Sequence, residues 1–158
     1  MKTQTNKAFS LIELSIVILV VGILIAGIFQ ASSLVNKWYL LSARTLTQSA
    51  GVNSILNLVM WLDATREGVF TNSNNSTNIQ DGDLIKNWRS FNPQDIRSLS
   101  ATQSSTSDYP RYFEKLINNL PAVKFDGIDD YMSLPVITGD LDNTSYTLFL
   151  VGQSYTQN

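Results

Sequence analysis

A single carboxylate lies within the apolar N-terminal run of this 158-residue chain. Within residues 11–29 the only charged side chain is that of Glu13. An acidic side chain in a membrane helix costs roughly 2–3 kcal/mol at the bilayer centre and less near an end. Because a nearby ammonium group offsets the cost of burying a carboxylate, the sequence predicts a cationic partner for Glu13.

The remaining residue types restrict catalytic chemistry. The chain contains no cysteine and no histidine, which removes thiolate metal sites, disulfides and the commonest general base. Asp81 and Asp83, and likewise Asp140 and Asp142, have the two-residue spacing of paired carboxylates on one strand. Both pairs lie in polar, turn-like sequence, so we expect no catalytic residues and no enzyme activity.

The overall charge of the chain is small. The net charge is -2, from 11 basic and 13 acidic residues. No stripe of lysine and arginine marks a surface that would bind phosphates, so a nucleic-acid partner is not expected.

Three acidic residues, Asp126, Asp129 and Asp130, lie close together after an alternating segment. Carboxylate oxygens are the ligands that calcium prefers. The simpler interpretation is that these side chains accept hydrogen bonds from backbone N–H groups and shape a turn. We therefore expect no cofactor, with calcium as the candidate ion and these three residues as weak metal candidates. The sequence assigns no ligand-binding residue.

The first 30 residues have the layout of a membrane-targeting segment. A short polar leader, residues 1–8, carries two lysines and precedes the apolar core of residues 14–29. A conventional secretory signal with a cleavage site near residues 31–33 and an uncleaved anchor helix are two simple interpretations. Neither explains why the chain retains Glu13.

Residues 7–17, Lys-Ala-Phe-Ser-Leu-Ile-Glu-Leu-Ser-Ile-Val, resemble the processing site of type IV pilins and of the pseudopilins of type II secretion systems. The resemblance implies that a prepilin peptidase removes the leader by cutting between Ala8 and Phe9, and then methylates the new amine of Phe9. Most members have glycine where this chain has Ala8. Glu13 becomes the fifth residue of the mature chain, the position at which the family keeps a glutamate.

Such a cut creates a positive α-amino group on Phe9, with an unperturbed pKa of about 8. In a bundle of apolar helices this ammonium group and the Glu13 carboxylate attract each other across subunits, which sets the stagger between neighbouring helices. Small residues at four-residue spacing allow such helices to approach closely. The pairs are Gly22 with Ala26 and Gly27 with Ala31.

The apolar run continues into an amphipathic segment, so we predict one long helix over residues 9–54 with a membrane span at about residues 11–30. Apolar residues recur at three- and four-residue steps as far as Ala50, and no proline interrupts them. Major pilins often carry a kinking proline at the mature position that Gln30 occupies here, and a C-terminal disulfide. Both departures favour a minor pilin or a pseudopilin.

Residues 55–158 have the pattern of a β-domain, so the predicted fold class is α+β: a long N-terminal helix followed by a partial antiparallel β-sandwich or jelly roll. Short apolar or alternating segments between turns predict strands at residues 58–63, 84–88, 122–126, 131–136 and 146–151. Met132, Leu134 and Val136 should face inward. Trp61 and Trp88 lie in such segments, which favours core packing over sugar stacking.

A second resemblance follows this order of segments. Trp-Leu-Asp-Ala at 61–64, Ile-Lys-Asn-Trp at 85–88, Leu-Pro-Ala-Val-Lys-Phe-Asp-Gly at 120–127, Asp-Asp-Tyr-Met at 129–132 and Tyr-Thr-Leu-Phe-Leu-Val at 146–151 resemble the first part of a laminin-G-like, concanavalin A-like jelly roll. Such domains bind carbohydrate or protein, so these are the candidate ligands. Because the domain usually needs more chain to finish both sheets, we expect the sandwich to be truncated.

These patterns together predict a prepilin-type structural subunit of a type IV pilus or a type II secretion pseudopilus. It would be a single-pass protein of the bacterial inner membrane with its C-terminal domain outside the cytoplasm, and would enter a periplasmic or surface filament after assembly. Expected partners are prepilin peptidase, other pilin or pseudopilin subunits and inner-membrane lipid. The alternative is a membrane-anchored lectin-like module that binds carbohydrate or protein, keeps its leader and never polymerises.

Overall fold

The computed structural model describes residues 10–95, 97–137 and 145–154. Ala8 and Phe9, between which cleavage is predicted, lie outside the described residues, and so do Asp140 and Asp142. The chain divides into two compact units, Met1–Trp38 and Tyr39–Asn158.

A single long helix, α1, spans Leu11–Ser49. It begins directly after Ser10, whose carbonyl accepts the first helical hydrogen bond from the N–H of Leu14 at 3.2 Å. Its sequence contains no proline, and its apolar first half keeps the backbone hydrogen bonds within the helix, as a lipid environment requires. Residues Leu11–Ile28 are long and apolar enough to cross a membrane, and their large apolar side chains are exposed. A short 3-10 helix, Gly51–Ser54, follows.

The C-terminal unit contains two small antiparallel sheets. The first contains β1 (Phe70–Asn72), β2 (Ile85–Arg89) and β3 (Ser100–Thr102), in the order β1-β2-β3. The second is a hairpin of β4 (Arg111–Ile117) and β5 (Leu120–Lys124). Asn118 and Asn119 connect its strands with φ angles of 50° and 62°. Asparagine tolerates this left-handed backbone, which is the one that a two-residue hairpin turn requires.

Both sheets contribute to one hydrophobic core. Val69, Phe70 and Ile85 are buried at its centre. The ring of Phe70 lies 5.1 Å from that of Trp88 on β2 and 5.3 Å from that of Tyr112 on β4. Backbone hydrogen bonds also join the sheets, since the N–H of Ile85 donates to the carbonyl of Pro110 at 2.8 Å. The partly buried side chains packed on this core are Ala64, Ile79, Trp88, Tyr112, Val123 and Met132.

The predicted α+β class is confirmed, and two of the predicted strands are present. The strand predicted at residues 84–88 corresponds to β2, and the strand predicted at 122–126 overlaps the end of β5, which stops at Lys124. The strand predicted at residues 58–63 is wrong: this segment is irregular. Individual hydrogen bonds replace a strand ladder here. Ser90 Oγ accepts from the N–H of Trp61 at 3.0 Å, and the carbonyl of Trp61 accepts from the N–H of Phe91 at 2.8 Å.

Two further predicted strands do not form. In residues 131–136 only Ser133 makes a strand-like bridge, to Thr102. Met132 packs on the core as predicted, whereas Leu134 and Val136 are exposed. The apolar side chains of residues 146–151 are 71% to 97% exposed and join neither sheet. Their pattern predicted burial, but burial needs a facing layer that the described residues do not supply; a complete sandwich or jelly roll therefore remains a prediction.

Candidate functional site

The start of α1 positions Glu13 in a local hydrogen bond. Glu13 Oε2 accepts a bond of 2.8 Å from the backbone N–H of Ser10, three residues earlier. A Ser-x-x-Glu sequence at a helix start forms this arrangement, in which the glutamate satisfies an N–H that the helix leaves without a backbone partner. The signal was present in the sequence at residues 10–13, but the prediction of a cationic partner for Glu13 did not include Ser10.

This bond uses only part of the acceptor capacity of Glu13. A carboxylate accepts hydrogen bonds at both oxygens, and among the described residues only Oε2 of Glu13 has a partner. Glu13 is exposed on the helix surface. It can therefore receive an ammonium group from another chain while it still caps its own helix. Its predicted partner, the amine of Phe9, lies outside the described residues.

The helix surface beyond Glu13 is open to lateral packing. The apolar side chains of the span are all exposed, as expected for a helix whose partners are lipid or other helices. A Cβ atom added at Gly22 or at Gly27 would meet nothing within 4 Å. No contact within the described chain therefore requires glycine at these two positions, which leaves close approach by another helix as a reason for them.

Residues 3–29 match a protein-family model described as the prokaryotic N-terminal methylation motif. The N-terminus is type IV pilin-like. The match includes residues 3–8 of the leader, the Ala8–Phe9 bond, Glu13 and the whole apolar span Leu11–Ile28. Neither the curated proteins nor the solved structures contain a match to the chain.

The pilin-like N-terminus implies the class of protein and its partners. A methylation motif followed by an apolar helix that could span a membrane fits a membrane-anchored, prepilin-type pilin or pseudopilin. It implies prepilin peptidase and other pilin subunits as partners. It also suggests a structural subunit rather than an enzyme. The motif says nothing about the C-terminal unit, because the match ends at residue 29.

The acidic cluster forms a tight turn. Asp126 Oδ1 accepts bonds from the backbone N–H groups of Ile128, Asp129 and Asp130 at 2.9, 3.3 and 3.2 Å, and Asp130 Oδ2 accepts from the N–H of Asp126 at 2.9 Å. The bond from Ile128 is the main reason that the pKa of Asp126 lies below its ordinary value. Burial raises the pKa of Asp130. The interpretation of this cluster as a turn closed by its own carboxylates is confirmed.

The three carboxylates of this turn are also of the type that binds calcium. One carboxylate oxygen from each of Asp126, Asp129 and Asp130 can be chosen so that all three lie within 4.8 Å of one another. The turn already uses Asp126 Oδ1 and Asp130 Oδ2 as acceptors, which reduces what the two residues could offer an ion. Calcium binding here stays a hypothesis.

The described members of the two-residue acidic pairs hold loops in place. Asp83 Oδ2 accepts bonds from the N–H of Gln80 and from Asn72 Nδ2, both at 3.0 Å. Asp81 Oδ1 accepts from the N–H of Glu114 at 2.8 Å. These contacts give each carboxylate a role in the backbone of the β-domain.

The two tryptophans of the β-domain lie against other aromatic rings. Trp88 packs on Phe70 in the core. Trp61 meets the ring of Phe91 edge to face, with 6.0 Å between centroids. The guanidinium group of Arg66 also packs on the Phe91 ring, 4.1 Å from its centroid. The predicted preference of both tryptophans for packing over ligand stacking agrees with these positions.

Proposed function

We propose that this chain is a minor pilin or a pseudopilin that is cut between Ala8 and Phe9 by prepilin peptidase, methylated on the amine of Phe9 and assembled into a type IV pilus or a type II secretion pseudopilus. The match of residues 3–29 to the prokaryotic N-terminal methylation motif carries the proposal. The position of Glu13 in the first turn of a long exposed apolar helix supports it.

Assembly uses the charge of Glu13. After cleavage, the ammonium group of Phe9 and the carboxylate of Glu13 are the opposite charges at the apolar end of the subunit. In a low-dielectric helix bundle they attract strongly, and each offsets the burial cost of the other. The bond from Ser10 to Oε2 holds the Glu13 side chain at the helix start, so that it is oriented before a neighbouring Phe9 arrives.

The β-domain is the part of the subunit that the filament displays outside the cytoplasm, with a carbohydrate or a protein as its ligand. Two features support this role of the β-domain: the laminin-G-like order of its sequence segments and its antiparallel sheets. The N-terminal helix anchors the unassembled subunit in the inner membrane as a single span.

Variants of Glu13 in the full chain test the assembly step in a host that supplies prepilin peptidase and a pilus or pseudopilus machinery. We expect Glu13→Ala and Glu13→Gln to insert into the membrane normally but to lower the amount of subunit in sheared filaments at least tenfold. Ser15→Ala is the matched control, since within the described part of the chain its hydroxyl bonds only to the carbonyl of Leu11, and it carries no charge.

Normal incorporation of both Glu13 variants would contradict the proposed role of the carboxylate. A chain that inserts but keeps its leader and never enters filaments would instead favour the membrane-anchored binding module. Membrane insertion is measured in the same cells by resistance to alkaline carbonate extraction, so that a failure to insert is not mistaken for a failure to assemble.

A further inference from the structure

The uncharged part of α1 extends well beyond its most apolar segment. The span defined by length and apolar composition is Leu11–Ile28. After Glu13, however, the next charged residue is Lys37. The two features place the C-terminal edge of the membrane span, here called its head side, at different points. Apolar composition places it directly after Ile28, whereas the absence of charge allows it to lie just before Lys37.

A collar of three consecutive residues, Lys37, Trp38 and Tyr39, follows the uncharged segment. All three are exposed, with Trp38 at 71% and Tyr39 at 56%. Consecutive helical residues are separated by about 100°, so these side chains point in three directions around the helix. Trp38 continues the stripe of apolar residues at three- and four-residue steps, with Leu34 and Leu41, whereas Lys37 and Tyr39 lie on either side of that stripe.

The chemistry of the collar matches the headgroup layer of a bilayer. Tryptophan and tyrosine are enriched at membrane–water interfaces, because each has an apolar body and a polar tip. The lysine ammonium can reach lipid phosphates while its stem stays on apolar surface. An interfacial layer surrounds a helix, which agrees with side chains that point in several directions.

We propose that the Lys37–Trp38–Tyr39 collar binds the lipid headgroup layer on the head side of the membrane, so that the hydrocarbon segment is residues 14–35. This inference rests on the proposed function only in requiring that α1 spans a membrane. The segment has about 22 residues and a length of roughly 33 Å, which fits a hydrocarbon core of about 30 Å with a modest tilt.

The collar also sets the depth of Glu13. With residues 14–35 in the hydrocarbon core, Glu13 lies at the opposite edge of the bilayer, where a carboxylate costs less than at the centre. The same placement keeps Glu13 close to the leader, where the predicted cut takes place. The depth of the collar and the position of the assembly carboxylate are therefore coupled through the length of the helix.

Cysteine accessibility tests this depth directly, because the natural chain contains no cysteine. Ala31→Cys, Gly27→Cys and Ser42→Cys are made separately in the full chain, in a host without pilus machinery. Membranes are opened by freeze–thaw and treated with a water-soluble maleimide, which reacts with the thiolate in water but not with a thiol in lipid. We expect Ala31→Cys to react at least tenfold more slowly than Ser42→Cys and about as slowly as Gly27→Cys. Labelling of Ala31→Cys at the rate of Ser42→Cys would overturn the proposal.

A second pair of variants tests the collar itself. In the Ala31→Cys chain, Trp38→Ala should raise maleimide labelling several-fold, because the helix loses its interfacial anchor and position 31 moves towards water. Trp38→Tyr should keep the low rate of labelling. Equal labelling of the Ala and Tyr variants would overturn the role of Trp38.

The failure of this inference is distinguishable from that of the proposed function. Release of the chain by alkaline carbonate would show that α1 is not a membrane span, which contradicts both. Retention of the chain together with fast labelling at position 31 contradicts only the collar.

Discussion

The backbone N–H of Ser10 donates a 2.8 Å hydrogen bond to Glu13 Oε2, so the single carboxylate of the apolar helix also caps that helix. Capping and ion pairing make different demands on position 13. A cap needs an acceptor oxygen, which glutamine also supplies, whereas an ion pair needs the negative charge. Substitutions of Glu13 can therefore separate the two roles.

The cap predicts a difference between Glu13→Gln and Glu13→Ala at the helix start. We expect the amide of Ser10 to exchange its hydrogen several-fold faster in the Ala variant than in the natural chain, because its acceptor is removed. The Gln variant should exchange at close to the natural rate. Amide hydrogen exchange of the unprocessed full chain in detergent micelles measures this, and fast exchange in both variants would contradict the cap.

The two partners of the Arg44–Glu67 ion pair should contribute unequally to the free energy of unfolding. Arg44 Nε donates to the carbonyl of Thr65 and Arg44 Nη1 to Glu67 Oε1, each at 2.6 Å. The Arg44 side chain is 21% exposed and that of Glu67 is 84% exposed. Arg44→Ala should lower the free energy of unfolding by about 1–3 kcal/mol, because a charge-assisted bond to a carbonyl is lost. Glu67→Gln should change it by less than about 0.5 kcal/mol, because water screens an exposed pair.

Denaturant unfolding of the full chain in mild detergent, followed by near-ultraviolet circular dichroism, measures both variants. An equal loss of unfolding free energy in Arg44→Ala and Glu67→Gln would show that the ion pair contributes more to stability than the bond to Thr65.

The core predicts that Ile85 is far more sensitive to truncation than apolar residues outside it. Ile85 is fully buried between the two sheets, whereas Val136 is 84% exposed. Ile85→Ala should cost about 2–5 kcal/mol, the range for emptying a well-packed core position. Val136→Ala should be close to neutral. The same unfolding measurement compares them, and a large loss in Val136→Ala would indicate that residues 131–136 are covered in the native protein.

The acidic turn predicts opposite titration behaviour for two neighbouring carboxylates. The bond from Ile128 lowers the pKa of Asp126, and burial raises the pKa of Asp130. The stabilising contribution of Asp126 is present above its unfolded pKa and is lost as pH falls through its folded pKa. That of Asp130 has the opposite sign, being full below its unfolded pKa and lost as pH rises through its folded pKa.

Asp130→Asn tests this sign, since asparagine keeps an acceptor but has no charge to bury. Its Tm should be equal to or above that of the natural chain at pH 7, and the difference should vanish in acid, below the unfolded pKa of Asp130. A lower Tm of Asp130→Asn at pH 7 would contradict the account. A rise in Tm of the natural chain on addition of calcium, absent in Asp130→Asn, would show that the cluster binds this ion.

The sequence predicted those features that depend on local patterns. The helix follows from an uninterrupted apolar run, and β2 and β5 follow from short apolar or alternating segments between turns. Residues 58–63 were predicted as a strand because they are apolar, but their partners are Ser90 and Phe91, about 30 residues away, which no local pattern encodes.

The site shows the same limit. Residues 7–14 were enough to single out Glu13 and the predicted cut, because the motif is contiguous. The bond to Ser10 was also readable, from the Ser-x-x-Glu spacing. The exposure of residues 146–151 was not, because a continuous apolar segment predicts burial without saying which layer covers it.

Processing of the chain as a prepilin can be read from the mass of its N-terminus. The full chain is produced together with an active prepilin peptidase, and in parallel with a catalytically inactive one, and its N-terminal peptide is analysed by mass spectrometry. We expect a chain that begins with N-methylated Phe9 in the first case and a chain that retains the leader in the second. An intact leader in the presence of the active peptidase, or a cut elsewhere such as near residues 31–33, would contradict this expectation.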